Sequence, residues 1–394
     1  MTASVPTPLR RLAVAAALAS QVAGCSWIAA WTIGTDNSTP PAELVSIANP
    51  ISIQRVWDVS VGNGAGKAFV RLQPAFDGDA LYAAARDGDV AAIDAATGNK
   101  RWTTDTDLAI SGGVGAGAGI VVVGSSKGEI VALRQADGAV AWKAQVSSEV
   151  LAPPRIGEGI VLVRVADGRF FAFDAASGRQ LWNYAASVPL LSLRGASAPL
   201  IGQGIAIAGL DNGRLLLLDL KSGRPVFERT LAPPRGKTEM DRLVDVDAEP
   251  RIAGSVLYIA PFHGAVTAID LSNGSTLWNR DISTYAGLDV SPQQVFVTAA
   301  DDTVWALDRA SGSALWKNAD LSGRKLSAPV AAGSVVAVGD FEGYIHFLDA
   351  NTGRLVGRVE LDGKGIMGTP LVRNGMLFAY GKGGKLAGYR PGGG

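Results

Sequence analysis

Of 394 residues, one is cysteine and two are histidine. A single thiol excludes a disulfide framework, so the fold has to be held by its core. Two histidines, His263 and His346, leave little material for an imidazole-based metal or proton-transfer centre. Charge is also lacking: 36 basic side chains stand against 36 acidic ones, which argues against a nucleic-acid surface or a basic membrane-binding face. After the N-terminal segment, no stretch is long and apolar enough to cross a bilayer. With 47% hydrophobic residues, the chain has ample material for a large core.

What is present is a repeat. A glycine, then an Asp-x-x-[Ser/Thr]-Gly turn ten residues on, then an aromatic four further on, recurs along most of the chain. The glycine pairs are Gly88/Gly98, Gly128/Gly138, Gly168/Gly178, Gly213/Gly223, Gly264/Gly274 and Gly343/Gly353, while Asp302 stands ten before Gly312. Successive second glycines are 40, 40, 45, 51, 38 and 41 residues apart. A period near forty with two glycine turns per unit is the mark of a four-stranded propeller blade.

Residues 153–182 illustrate one unit. Pro153-Pro154 lead into a short inner strand, and Gly157-Glu158-Gly159 turns the chain into the apolar, β-branched run Ile160–Val165. Asp167-Gly168 reads as a two-residue hairpin, and Asp174-Ala-Ala-Ser-Gly178 closes the third strand. The outer strand then runs from Arg179 to a terminal Trp182. Trp102, Trp142, Trp182, Trp278 and Trp316 recur at this place, where a flat ring packs between blades; Phe227 and Gly357 depart from it, and Arg134 replaces one turn Asp. Seven complete units precede Gly375–Tyr389, which has only three strands. Ile53–Trp57 has the pattern of the missing outer strand. The expected fold is therefore all-β: an eight-bladed propeller over residues 51–390, its last blade closed by the N-terminal strand, leaving no sheet edge. Seven blades are the alternative if the terminal pieces do not pair. Residues 391–394 form a glycine-rich tail.

Arg10-Arg11, the short apolar run Leu12–Ala19 and small residues before Cys25 have the form of a secretory signal over residues 1–24. Val22-Ala23-Gly24-Cys25 resembles the lipobox of bacterial lipoproteins, in which the cysteine is acylated and becomes the first mature residue. Each buried CH₂ of such chains contributes about 0.8 kcal/mol to anchoring. Cleavage would leave 34 basic and 36 acidic side chains. Ser26 after the cysteine points to the outer membrane, periplasmic side. Residues 25–50 read as a tether without periodicity, with Trp27, Ile28 and Trp31 near the lipid interface.

The turn repeat, as in Ala92–Trp102 and Ala306–Trp316, resembles that of quinoprotein alcohol and glucose dehydrogenases, eight-bladed periplasmic propellers that hold pyrroloquinoline quinone and a divalent cation. It is similar also to the non-enzymatic outer-membrane assembly lipoproteins of the BamB family. Two segments, Leu190–Pro199 and Glu239–Asp247, resemble signature segments of the latter in the same order and blades, and that resemblance covers residues 20 to 390. Spacing gives separate support. From the blade-closing aromatic to the next inner-strand proline is 11 residues for Trp142–Pro153 and 13 for Trp316–Pro329, but 17 for Trp182–Pro199 and 23 for Phe227–Pro250. The two long connections are consecutive and emerge on one face, where binding insertions concentrate.

The resemblance implies that these loops bind the periplasmic POTRA domains of BamA, the barrel-inserting protein, with Leu191, Leu193, Arg194, Asp245 and Asp247 at contact positions. Arg194 bracing the two loops through Asp245 or Asp247 is the intramolecular alternative. It implies no enzyme, cofactor or metal; the alternative is a relative of the quinone-dependent dehydrogenases. Asp301-Asp302, Asp105-x-Asp107 and Asp245-x-Asp247 lack the ligand pattern of a calcium loop and read as solvated turns or partner contacts. Gly112-Gly113-x-Gly115-x-Gly117-x-Gly119 lacks a following helix and reads as a flexible blade connection rather than a dinucleotide site. Holding a barrel strand on a blade edge is a second expected mode.

Overall fold

A computed structural model describes residues 40–189, 197–234, 237–238 and 242–392. These residues form strands and turns with no α-helix. The strands make eight four-stranded antiparallel sheets. Seven follow chain order, giving blades 1 to 7 over residues 75–105, 115–145, 155–185, 200–230, 251–280, 287–318 and 330–360. Blade 8 combines Leu371–Arg373, Met376–Tyr380 and Lys385–Pro391 with Ile53–Ser60 as its outer strand. The first strands of blades 1 to 4, and those of blades 5 to 8, pack against one another in succession around the ring axis. The expected eight blades and the shared last blade are both present.

The second and third strands of the blades are largely buried and apolar on both faces, as Ile160–Val163 and Phe170–Phe173 show. They lie between two neighbouring blades and meet no water on either side. The outer strands alternate instead, with one side toward solvent. This difference is why the inner strands read as continuous hydrophobic runs.

Blade-to-blade packing rests on the aromatic of the outer strand. In blade 1 the Trp102 indole lies over Gly138 of blade 2, and its Nε1 donates to the Gln135 carbonyl at 2.8 Å. Trp142, Trp182, Trp278 and Trp316 repeat this on Gly178, Gly223, Gly312 and Gly353. A Cβ on Gly138 would approach the Trp102 ring to 2.6 Å, and the residue has φ +72°, so both the space and the backbone require glycine. The turn that carries the glycine is fixed by its aspartate: Asp94 Oδ1 accepts from the Thr97 amide and hydroxyl at 3.0 and 2.9 Å. Where Arg134 replaces that Asp, Asp137 takes over, pairing with the Arg134 guanidinium and accepting the Ala139 amide.

Several local expectations change. The outer strands continue three residues past the Trp, to Asp105, Gln145 and Ala185 in blades 1 to 3, because the ring packs from mid-strand rather than from an end. The Asp167-Gly168 turn holds three residues between a bonded Val165–Arg169 pair, with Gly168 at φ +80°. Gly112–Gly119 is no flexible connector: Gly115–Gly117 is the inner strand of blade 2. A Cβ on Gly113 would strike the Gln73 carbonyl at 2.5 Å and one on Gly115 the Pro154 carbonyl at 2.3 Å, so these glycines let inner strands approach.

The compact unit spans Pro41–Gly394, so residues 41–50 pack with it. The Ala42 amide donates to the Ser322 carbonyl at 2.9 Å, Arg324 and Arg358 donate to the carbonyls of Ala42 and Val45, and the Ile51 amide donates to Val356. The segment thus lies on blade 7. Cys25, Trp27, Ile28 and Trp31 fall outside the described residues.

Candidate docking face

Within a blade, the connection from the second to the third strand and the connection leaving the outer strand emerge on the same face of the ring. The long connections 186–199 and 231–250 both leave outer strands, and so share that face. The first contains Leu191, Leu193 and Arg194, which lie outside the described residues. Its foot is described: Ala198 and Ser197 are buried.

The second connection is folded down onto blades 4 and 5. Val246 fills the space above Gly209, where a Cβ would meet it at 2.2 Å, and Val244 packs over Gly213. The Asp245 carbonyl accepts the Phe262 amide at 2.7 Å, and the Leu243 carbonyl bonds the His263 ring at 2.9 Å. Asp245 and Asp247 are therefore interior residues, 0% and 5% exposed, and not solvated turns. Asp302, also read as solvated, is 4% exposed and accepts the amides of Lys325 and Leu326.

Arg164 ties the foot of the first connection to the blade 4 turn on which the second one packs. It ends the second strand of blade 3 and is 2% exposed. Its guanidinium pairs with Asp211 of the blade 4 turn, and its Nη1 donates to both the carbonyl and hydroxyl of Ser197, at 3.2 and 3.1 Å. Burial pushes the nearby Asp247 carboxyl up to about 6, opposed by Arg71 and Arg164 and reinforced by Asp211. Arg194, the alternative brace, lies outside the described residues; Arg164 holds the foot of the first connection from the blade itself. The sequence held one signal for this, since Ala84, Gly124, Gly209 and Gly339 occupy the same strand end in other blades.

His346 belongs to a different buried cluster in blade 7. Its Nε2 bonds Asp340 at 2.9 Å, and Arg358 Nε donates to its Nδ1 at 3.2 Å. Arginine only donates, so Nδ1 carries no proton and the ring is neutral. Burial accordingly lowers the His346 pKa. Among the described residues, no three His, Cys, Asp or Glu side chains are grouped to hold a metal ion.

The family model for outer membrane protein assembly factor BamB, a quinoprotein-type repeat model, matches residues 43–107, 86–318 and 312–392. The chain is 46% identical over 373 residues to outer membrane protein assembly factor BamB of Pseudomonas aeruginosa, covering 95% of this chain and 97% of that protein. This chain belongs to the BamB family. The BamB of Xanthomonas campestris is 37% identical over 97% of both chains. The crystal structure of BamB from Moraxella catarrhalis superposes with a TM-score of 0.80 at 30% identity, covering 86% of this chain and all of that one. Quinohemoprotein alcohol dehydrogenase from Comamonas testosteroni is similar at a TM-score of 0.67 and 16% identity, a likeness of fold alone.

Proposed function

We propose that this chain is a non-catalytic scaffold of the machinery that folds and inserts outer-membrane β-barrel proteins. In this reading it is anchored through acylated Cys25 to the periplasmic face of the outer membrane and docks on the POTRA domains of BamA through its two long connections. Near full-length membership of the BamB family supports the assembly role. The observation that carries the docking reading is the pairing of two consecutive long connections on one face, the foot of the first tied by buried Arg164 to the blade 4 turn on which the second packs. Anchoring the feet of a loop lowers the conformational cost of its binding. Leu191, Leu193 and Arg194 are the proposed contacts, two apolar anchors beside a planar donor fork. Asp245 and Asp247, being buried, shape the second loop from beneath.

The test is recovery of the barrel-inserting protein from detergent-solubilised envelopes. A tagged wild-type chain should recover it, and the folded triple variant Leu191→Ala, Leu193→Ala, Arg194→Glu should not. Equal recovery by both moves the interface elsewhere; recovery by neither removes the assembly reading.

A further inference from the structure

Across the ring from the two long connections, the same face carries a recess of about 410 Å³. Its walls come from four blade connections and the turns of blades 7 and 8. Phe69, 76% exposed, and Phe341, 37% exposed, stand at its sides, over a floor that includes Leu326, Ile366 and Met367. Arg71, Lys325, Lys364 and Lys382 also line it, and no carboxylate does. In a chain of zero formal charge, this is a local concentration of one sign.

The adjacent acids are occupied elsewhere. Asp302 accepts the backbone amides of Lys325 and Leu326, both at 2.8 Å. Asp362 accepts those of Lys364 and Gly383, at 2.9 and 2.8 Å. They fix the loops that present the lysines through backbone amides rather than through ion pairs with the ammonium groups, although the Lys325 charge acts on Asp302 and that of Arg71 on Asp247. Among the described residues, none of the four cations is ion-paired to a carboxylate. The walls are also tied to one another: Lys382 N–H donates to Gly365, Ala65 N–H to Lys382, and Ile366 N–H to Asp340. Phe69, although exposed, is held by the Lys382 ammonium 4.9 Å from its ring centroid.

We propose that this recess is a binding site for an acidic peptide segment bearing aromatic or aliphatic side chains, supplied by a partner protein. Carboxylates of such a segment meet the four cations at the rim, while its apolar side chains cover Phe69, Phe341 and the floor. A bilayer surface suits this arrangement less well, because the cations surround a concave site with an apolar floor rather than spread over a flat face. The apolar floor and aromatic walls mark a ligand that carries both kinds of group, not a bare anion. The residues lining the recess lie outside the docking loops, with Arg71 next to Asp247 of the second, and its occupancy does not depend on that reading.

The experiment is fluorescence anisotropy of the full chain in detergent with a labelled decapeptide alternating Asp with Phe and Leu. A second peptide carries Lys in place of Asp. The acidic peptide should bind at least tenfold more tightly than the basic one, and more weakly as salt rises. Lys364→Glu with Lys382→Glu should weaken binding at least tenfold, the milder Lys364→Gln with Lys382→Gln several-fold, and Phe69→Ala about threefold. Lys221→Glu, on the opposite face, should leave it unchanged, and all variants should keep the wild-type thermal midpoint. Equal binding of the two peptides overturns the proposal, as does acidic-peptide binding indifferent to the lysine variants. Anionic phospholipid vesicles bound in a Lys364- and Lys382-dependent manner, with no peptide binding, also overturn it by making the occupant a lipid.

Discussion

Trp57 Nε1 donates a 3.0 Å hydrogen bond to the Ala95 carbonyl, and its indole lies over Gly98. Trp57 is in the N-terminal strand that completes blade 8, whereas Ala95 and Gly98 are in the turn of blade 1. The seam is thus closed by the same contact that joins interior blades. Blade 7 differs in a way the seam explains. Blade 8 has no turn between its third and outer strands, because these come from opposite ends of the chain. No glycine turn is available to receive a ring from blade 7, and Gly357 replaces the aromatic; a Cβ there would meet Ile53 at 2.5 Å.

Trp57→Ala should therefore open the ring at its seam. Loss of a buried indole costs about 3–5 kcal/mol, and urea denaturation should show that range. Trp57→Phe keeps most of the packing and loses the hydrogen bond, a cost of about 1 kcal/mol or slightly more.

Blade 4 has Phe227 where a Trp is usual, and the nearest Phe227 atom is 3.8 Å from a Cβ built on Gly274, against 2.4–2.6 Å at the Trp positions. The space is underfilled, and the Leu271 carbonyl stands where the other turns accept an indole N–H. Phe227→Trp should stabilise the chain by about 1 kcal/mol, read as a rise in the urea midpoint at constant slope.

Arg164→Met should leave Asp211 as a buried carboxylate without its partner and release Ser197. The expected loss is about 3–5 kcal/mol, the cost typical of breaking a buried pair on one side. Asp211→Asn, which keeps an acceptor for Arg164, should lose less. Chemical denaturation of both variants checks the order.

Asp247 makes stability depend on pH. Its folded pKa of about 6 lies above the ordinary 3.8, so the native state binds a proton more tightly than the unfolded chain. Its unfavourable contribution is fully present above about pH 6 and fades as pH falls toward about 4. Relative to wild type, Asp247→Asn should therefore be more favourable at about pH 7.5 than at about pH 4.5. A relative stability that does not change between the two pH values would show that Asp247 is not so shifted.

If Cys25 is the anchor, Cys25→Ser should move the chain from the membrane pellet to the soluble fraction while leaving its far-ultraviolet spectrum unchanged. Retention in the pellet would place the anchor elsewhere.

Blades were legible because each is a local object. Asp94, Thr97, Gly98 and Trp102 lie within nine residues, and their roles are set by turn geometry and strand alternation. The shared eighth blade was legible from a strand with a Trp but no blade before it. The interior of the docking face was not. Asp245, Asp247 and Asp302 look like surface turn residues by composition, and only packing against the turns of neighbouring blades shows them buried. Arg164 looked like one polar residue closing an apolar strand, although Ser197 and Asp211, its partners, are 33 and 47 residues away.

By itself, the sequence determined the repeat, the blade number, the position of the seam and the face from which the long connections leave. These follow from period, turn chemistry and chain direction, which act over a few residues. Tertiary structure alone decided which acids are buried, which cation holds the foot of the first loop, and that basic residues from three connections and one blade turn converge with Phe69 and Phe341 around one recess. Closing a ring brings together residues far apart in the chain, and the charge and burial of each are then set by neighbours that no local pattern specifies.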